Sequence, residues 1–358
     1  MNAPIDAVLV LSFGAPEKSE DVMPFLRNVT RGRGIPDHRL AEVAEHYHHF
    51  DGFSPLNACN QEIIRNVEHA LRSNNIDLPV YFGNRNWHPF ASDTITTIAQ
   101  AGHKHVAVFA TSAWGGFSGC KQYQDDIVHM REHLATSSYP AIRFTRLAQF
   151  FNHPIFIHAN ANAIRARYAE FAAEGVANKD IRLVFTAHSI PVVADHHSGT
   201  ADEGPLYSSQ VTEACRLVAE ELGLTNYDLV WQSASGDGKV PWLDPDIVDY
   251  AKAQAAQGVK YLLVSPIGFI SDHMEVIWDL DNELQDEATA LGMHVKRAAT
   301  VGHMPEFADM ILELLLAAGE HNTPRSLGTM PVKGCTVNGE PCAPSCCQPA
   351  KRPHSATA

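Results

Sequence analysis

Ile181-Arg182-Leu183-Val184-Phe185-Thr186-Ala187-His188-Ser189-Ile190-Pro191 is an apolar run that breaks into polar residues, one imidazole and a proline. Its first five residues have the length and branching of a buried strand, and the proline discourages helical continuation after the turn. Similar runs of five to seven residues start near Ala7, Pro79, His105 and Ile142, and again near Ile181, Tyr227, Tyr261 and His294. Helix-length amphipathic segments lie between them. Parallel strands need such crossovers, so the two sets of four predict an α/β protein in which each half is a doubly wound parallel sheet flanked by helices.

The first half is expected over residues 1–150 and the second over 151–320, with the last helix able to pack back on the first half. The break falls near Asn152-His153-Pro154, where a helix from Ile155 to Phe171 is expected to begin. Residues 321–358 lose periodicity under repeated Pro and Gly and read as an irregular, Cys-containing tail whose final residues, Lys351 to Ala358, are small, polar and mobile.

Composition narrows the function. With 358 residues, 45% of them hydrophobic, the chain can build two cores, and two domains make a cleft. A net charge of −14, from 27 Lys+Arg against 41 Asp+Glu, argues against nucleic-acid binding, which draws on clustered cations. No stretch reaches the ~18 apolar residues of a bilayer span, so stable membrane insertion is not expected. Asp6 precedes the run Ala7 to Phe13 without a cationic leader, so a buried strand and a cytoplasmic location are expected. No long heptad or exposed apolar run calls for a second copy, and a monomer is the default.

Ligands of open parallel sheets bind beyond the carboxyl ends of the strands. The turn after Ile181–Phe185 therefore aims His188 at the cleft, an imidazole hydrogen-bonded to loop backbone being the alternative. The turn after Tyr261 to Val264 reads Ser265-Pro266-Ile267-Gly268-Phe269-Ile270-Ser271-Asp272-His273-Met274-Glu275 and leads into a helix that Ser271 or Asp272 is placed to cap. On that helix Glu275, Asp279 and Glu283 recur at i, i+4 and i+8, a like-charged stripe that costs ~0.2–0.5 kcal/mol per pair. A solvated face explains it, since Val276, Ile277, Leu280 and Leu284 form the matching apolar face. A path for a labile divalent cation is the sharper reading, because carboxylates with an imidazole suit such a metal better than a structural one.

The third turn, Ser233 to Leu243, has glycines but no phosphate-binding pattern, and no serine-hydrolase elbow occurs. Among 20 His, the pair His46 and His49 can share a helix face, yet without a third ligand they read as surface residues.

The segments Thr186–Pro191, Gln232-Ser233 with Val240-Pro241-Trp242-Leu243, and Pro266–Glu275 resemble the signature segments of ferrochelatases. The resemblance continues through Leu11–Pro16, Val29–Gly34, Gly52–Asn57, and Thr111–Trp114 with Cys120–Tyr123, and so spans nearly the whole chain. It is strongest to bacterial coproporphyrin ferrochelatases with cysteine-bearing tails, which insert Fe²⁺ into coproporphyrin III to give coproheme. It implies two Rossmann-like domains around a porphyrin cleft, with transient contact to neighbouring heme-pathway enzymes.

By this resemblance His188 is the active-site histidine, as proton acceptor or metal ligand. Glu275 is its partner carboxylate, and Asp279 and Glu283 continue the acidic line for Fe²⁺. The imidazole and the acids are expected to meet across a macrocycle-sized gap. Ser54, Tyr123, Arg31 and Arg33 lie in segments resembling the propionate-contacting and lid regions, a solvated loop being the alternative for the two arginines. Phe13 stands where many relatives carry tyrosine, and a phenyl ring cannot ligate iron, so packing against the macrocycle or shaping the pocket is its expected role.

Seven cysteines include Cys335, Cys342, Cys346 and Cys347 in the tail. They resemble those of relatives holding a [2Fe-2S] cluster, with Cys335, Cys342 and Cys347 as tail ligands, Cys346 a competitor, and Cys120 as an internal fourth. A zinc site of four tail thiols is the alternative. Two functional alternatives also stand: the same reaction on protoporphyrin IX, and a tetrapyrrole or metal carrier without catalysis. An acidic row gives a carrier of an anionic porphyrin nothing, which favours the enzyme.

Overall fold

Every expected strand starts within one residue of its apolar run: β1 (Ala7–Ser12), β2 (Val80–Asn84), β3 (His105–Ala110), β4 (Arg143–Arg146), β5 (Ile181–His188), β6 (Asp228–Gln232), β7 (Tyr261–Ser265) and β8 (His294–Arg297). The computed structural model describes residues 4–202, 204–235, 238–331, 343 and 345–347. The strands form two four-stranded sheets, β2-β1-β3-β4 and β6-β5-β7-β8, with every neighbouring pair parallel. The same order in both halves places β1 and β5 at equivalent inner positions. β1 is buried along its full length, as its unbroken Ala-Val-Leu-Val-Leu run requires of a strand covered on both faces.

Three helices of the first half matter for the cleft: α1 (Ser19–Val29), α2 (Asp37–His48) and α3 (Leu56–Ser73). Phe25 and Leu26 of α1 pack with Leu40, Ala44 and Tyr47 of α2, and the second half supplies Met274 to this cluster. The helix expected from Ile155 to Phe171 spans Pro154–Ala173, started by proline in its first turn and by the His153 side chain, which accepts from the Ile155 N–H.

The last helix, Pro305–Glu320, packs against α3. Its Phe307 ring centroid lies 6.1 Å from that of Phe109 on β3 and 5.7 Å from that of Phe150. One core cluster accordingly joins Val8 and Phe109 of one sheet, Phe185 and Leu263 of the other, and Phe307 of this helix. Burying each such side chain contributes about 1.5–3 kcal/mol. The segment after this helix returns to the junction, where the Asn152 amide donates to the carbonyls of Leu327 (3.1 Å) and Met330 (3.0 Å). Cys335, Cys342 and Lys351 to Ala358 lie outside the described residues. Among the described residues no helix is long and apolar enough to cross a membrane.

Candidate active site

β5 delivers His188 at its carboxyl end, and its loop is held from three sides. Tyr207 Oη donates to the His188 carbonyl (2.8 Å), the Ser189 N–H to the Gln232 carbonyl (2.7 Å), and Ser189 Oγ to the Leu243 carbonyl (2.7 Å). The imidazole Nδ1 lies 2.5 Å from the Ser189 carbonyl. A carbonyl only accepts, so Nδ1 carries the hydrogen and Nε2 is left as the exchangeable nitrogen. Nε2 faces Glu275 Oε2 at 3.3 Å. The expected gap between imidazole and acids is therefore not there: His188 and Glu275 are in direct contact.

Glu275 arrives from β7 through a loop that must press close to β5. A Cβ on Gly268 would lie 2.5 Å from Ala187 Cα, so only glycine permits the Gly268 N–H to reach the Thr186 carbonyl (3.0 Å). From the first half, Trp114 Nε1 donates to the Gly268 carbonyl (2.7 Å). The following helix differs from expectation in two ways. Its cap is His273, whose Nδ1 accepts from the Glu275 N–H (3.2 Å), rather than Ser271 or Asp272. After a single α turn, Met274–Val276, it widens into a π-helix over Ile277–Glu283 before resuming as α over Leu284–Ala290. Such wide turns are rare and concentrate at functional sites.

Asp279, on the wide turn, reaches the end of β6. Gln232 Nε2 donates to its Oδ2 at 3.1 Å, and Ser233 Oγ donates to the same oxygen. Ser233 sits at φ 61°, a left-handed conformation that costs a non-glycine residue about 1–3 kcal/mol and turns its hydroxyl toward the acid. Gln232 is fully buried, and its Oε1 has no hydrogen-bond partner.

The electrostatics sort these groups. Burial works against the charge on His188, but the hydrogen bond and charge of Glu275 outweigh it and raise its pKa. Desolvation among its neighbours pushes Glu275 up even though its side chain is 52% exposed, but the His188 hydrogen bond and charge, with His273 and His46, bring it down to about 2. Burial pushes His273 down, the opposite direction to His188. Burial, Glu275 and Glu283 push Asp279 up to about 7 against the hydrogen bonds of Ser233 and Gln232. Asp279 therefore senses both other acids of the stripe across the wide turn.

The other expected residues divide. Phe13, 38% exposed, packs edge-on to Phe25, with centroids 6.2 Å apart, and the Arg85 guanidinium lies 6.0 Å from its ring centroid. Arg31 and Arg33 are exposed, and Arg31 donates to Asn28 Oδ1 (2.6 Å) at the edge of a cavity of about 470 Å³ that Arg85, Asn86 and His129 also line. Ser54 and Tyr123, by contrast, are buried. The Tyr123 hydroxyl bonds to Thr111 Oγ1 (3.1 Å), and its ring lies 4.7 Å beneath the Arg85 guanidinium.

His46, expected at the surface, stacks on Trp278 and brings α2 over the π turn. The sequence signal for Gln232 and Ser233 was their place at a strand's carboxyl end; for His46 and Trp278 there was none.

Cys120 lies on a second π-helix, Phe117–Lys121, and is buried, as are Cys346 and Cys347. Arg146 Nη1 approaches Cys120 Sγ at 3.5 Å, and the Gly199 N–H donates to Cys347 Sγ (3.1 Å). The Cys346 and Cys347 sulfurs are 3.6 Å apart. Hydrogen bonding from Cys346 pulls the Cys347 thiol below its usual range, against burial and against the charge of Cys120. Among the described residues no three His, Cys, Asp or Glu side chains form a group able to hold a metal ion.

A family model described as Ferrochelatase matches residues 5–318. The chain is 56% identical over 358 residues to the coproporphyrin III ferrochelatase of Corynebacterium diphtheriae, covering 99% of this chain and 97% of that one. It is 52% identical to the coproporphyrin III ferrochelatase of Nocardia farcinica, covering 98% and 99%. Among solved structures, SirB from Bacillus subtilis with Fe³⁺ aligns at a TM-score of 0.51 and 16% identity, over 88% of this chain and 98% of that one, a likeness of fold.

Proposed function

Since the chain belongs to the ferrochelatase family and is a metal chelatase, we propose that it inserts Fe²⁺ into coproporphyrin III to form coproheme. The full-length likeness to two coproporphyrin III ferrochelatases supports the choice of porphyrin, and the contact between His188 Nε2 and Glu275 at 3.3 Å carries the mechanism.

Insertion replaces two pyrrole N–H protons with one dication, so two protons must leave as iron enters. His188 Nε2, fixed by the Nδ1–H bond to Ser189, is the acceptor on its face of the cleft, and it acts once its own proton has gone. Glu275 stays ionised, orients Nε2 and compensates the imidazolium. Asp279 and Glu283 extend the negative charge along the π turn as the route for Fe²⁺. Asp279, held near neutrality, can pass a proton outward. Phe13 offers the porphyrin an apolar edge from the first half, while the exposed Arg31 and Arg33, between α1 and α2, stand ready for propionates. Ser54 and Tyr123, both buried, serve as supports of the first half's wall.

A [2Fe-2S] cluster is the group proposed for the cysteines, although among the described residues no three of the side chains form a metal-holding group. Buried Cys120 and Cys347 have the donors that stabilise thiolates, a guanidinium and a backbone N–H, and Cys335 and Cys342 would complete a set of four. Such a cluster would supply a structural or redox-sensing group apart from the insertion chemistry. The cytoplasm is the proposed location and a monomer the proposed state, since one chain supplies both walls of the cleft.

Loss of free-porphyrin fluorescence on mixing Fe²⁺, coproporphyrin III and protein tests the reaction. His188→Ala should abolish it, and turnover surviving that change would refute the assignment. Running protoporphyrin IX alongside decides the substrate. Stoichiometric binding without metalation would instead make the protein a carrier.

A further inference from the structure

Arg297, the last residue of β8, takes no part in the chemistry above, yet it makes the densest set of ionic contacts near the π turn. Its Nε and Nη2 each lie 2.7 Å from an oxygen of Asp281, and its Nη1 and Nη2 each lie 3.0 Å from an oxygen of Asp272. One planar group thus holds two carboxylates, both in the forked geometry that only a guanidinium offers. Thr300 Oγ1 adds a bond to Asp272 (3.1 Å). The Arg297 side chain is 14% exposed, so solvent screens these contacts less than it would on an open surface.

The positions of the two partners give the contact its meaning. Asp272 immediately precedes the capping His273, whereas Asp281 lies inside the wide turn Ile277–Glu283. The residues of that turn, Ile277-Trp278-Asp279-Leu280-Asp281-Asn282-Glu283, include no proline or glycine that would prevent an ordinary α-helix. Something outside the turn must hold it open. Relaxing to α geometry, with about 100° of rotation per residue, would turn Asp281 away from Asp272 and carry Asp279 off Gln232 and Ser233.

We propose that Arg297 is the positioning residue for the acid row, its double fork onto Asp272 and Asp281 keeping the π turn wound so that Asp279, on that turn, meets Gln232 and Ser233. This rests on the reading of that row as the iron route. It adds a residue on β8, remote in sequence, whose effect should fall on the metal rather than on the porphyrin.

The test compares the full-length wild-type protein with Asp281→Asn and Arg297→Lys. Asp281→Asn loosens one arm at the surface and leaves β8 anchored through Asp272. Arg297→Lys keeps the charge but cannot fork twice. Both variants should raise the KM for Fe²⁺ about tenfold, as supporting partners of metal ligands do, with the porphyrin KM unchanged. Amide hydrogen exchange across residues 277–283 should quicken while β8 stays protected. Exchange in Asp281→Asn matching the wild type, or iron and porphyrin KM moving together, would overturn the proposal. A wild-type protein without turnover would instead sink the proposed function, and the exchange measurement would still decide the clamp.

Discussion

The imidazole of His46 lies flat on the indole of Trp278, ring centroids 4.0 Å apart and planes 7° from parallel. α2 of the first half thus closes over the acid-bearing helix of the second, and His49 adds an edge-on contact with centroids 5.6 Å from Trp278. A stacked pair of this kind is worth about 0.5–1.5 kcal/mol beyond its buried area. Trp278→Ala and His46→Ala should therefore each destabilise the packing of α2 on the π turn. A double-mutant cycle in denaturant should return a coupling of that size, and additive effects would show that the stack carries no energy of its own.

The His188–Glu275 pair sets a pH limit. His188 must be neutral to accept a proton, and its pKa is raised, so activity should fall as pH drops through a midpoint above 6.5. Glu275→Gln removes the hydrogen bond and charge that raise it, leaving burial to dominate, so the midpoint should move to lower pH. The linked stability follows the same signs. The raised His188 contributes stability that is fully present below its unfolded value and lost as pH rises through the folded one. Glu275, lowered to about 2, contributes stability present above its unfolded value and lost as pH falls through about 2. Rate profiles and melting curves of wild type and Glu275→Gln check both.

Asp279 has the opposite sign for a carboxylate. Raised to about 7, it binds a proton in the folded protein that the unfolded chain has already released, so it lowers stability as pH rises from about 4 to about 7. Asp279→Asn should raise the melting temperature above pH 7 and leave it nearly unchanged at pH 4. If the acid row guides iron, the wild-type KM for Fe²⁺ should fall as pH rises through about 7, and the asparagine variant should lack that step.

Gly268→Ala places a methyl 2.5 Å from the Ala187 backbone, which cannot yield as a flexible side chain would. Overpacking of this kind costs about 1–3 kcal/mol. Because the two crowded loops carry His188 and Glu275, turnover should fall further than stability. An equal loss of both in melting and rate measurements would mean that the loops move together.

The thiols give a spectroscopic prediction. If Cys120 and Cys347 are ligands of an iron-sulfur cluster, the purified protein should absorb in the visible, and Cys120→Ser or Cys347→Ser should remove the band while Cys346→Ser retains it. Zinc in metal analysis of a colourless protein would support the alternative.

The sheets were legible because a strand covered on both faces must be an unbroken apolar run, as in Ala7–Leu11 and Leu262–Val264. His188 and Glu275 stood out as candidates because each follows such a run at the carboxyl end, where parallel sheets open their clefts, and their roles came from the resemblance. The π turn was not, since Glu275, Asp279 and Glu283 at every fourth position read equally well as an α-helix. Its winding answers to Arg297 and Ser233, which no local pattern connects to it. The same holds for His46 on Trp278, a contact between halves. Ser54 and Tyr123 came from resemblance alone, which does not tell a residue facing the cleft from one beneath it.

The helix Pro305–Glu320 packs against α3, and its Phe307 meets Phe109 and Phe150 of the first half. A chain emerging from the ribosome must therefore hold its first lobe with an open seam until nearly the whole sequence has been made. A nascent or truncated form ending before that helix would expose Phe109 and Phe150, and should be a client for chaperones rather than a free-standing half.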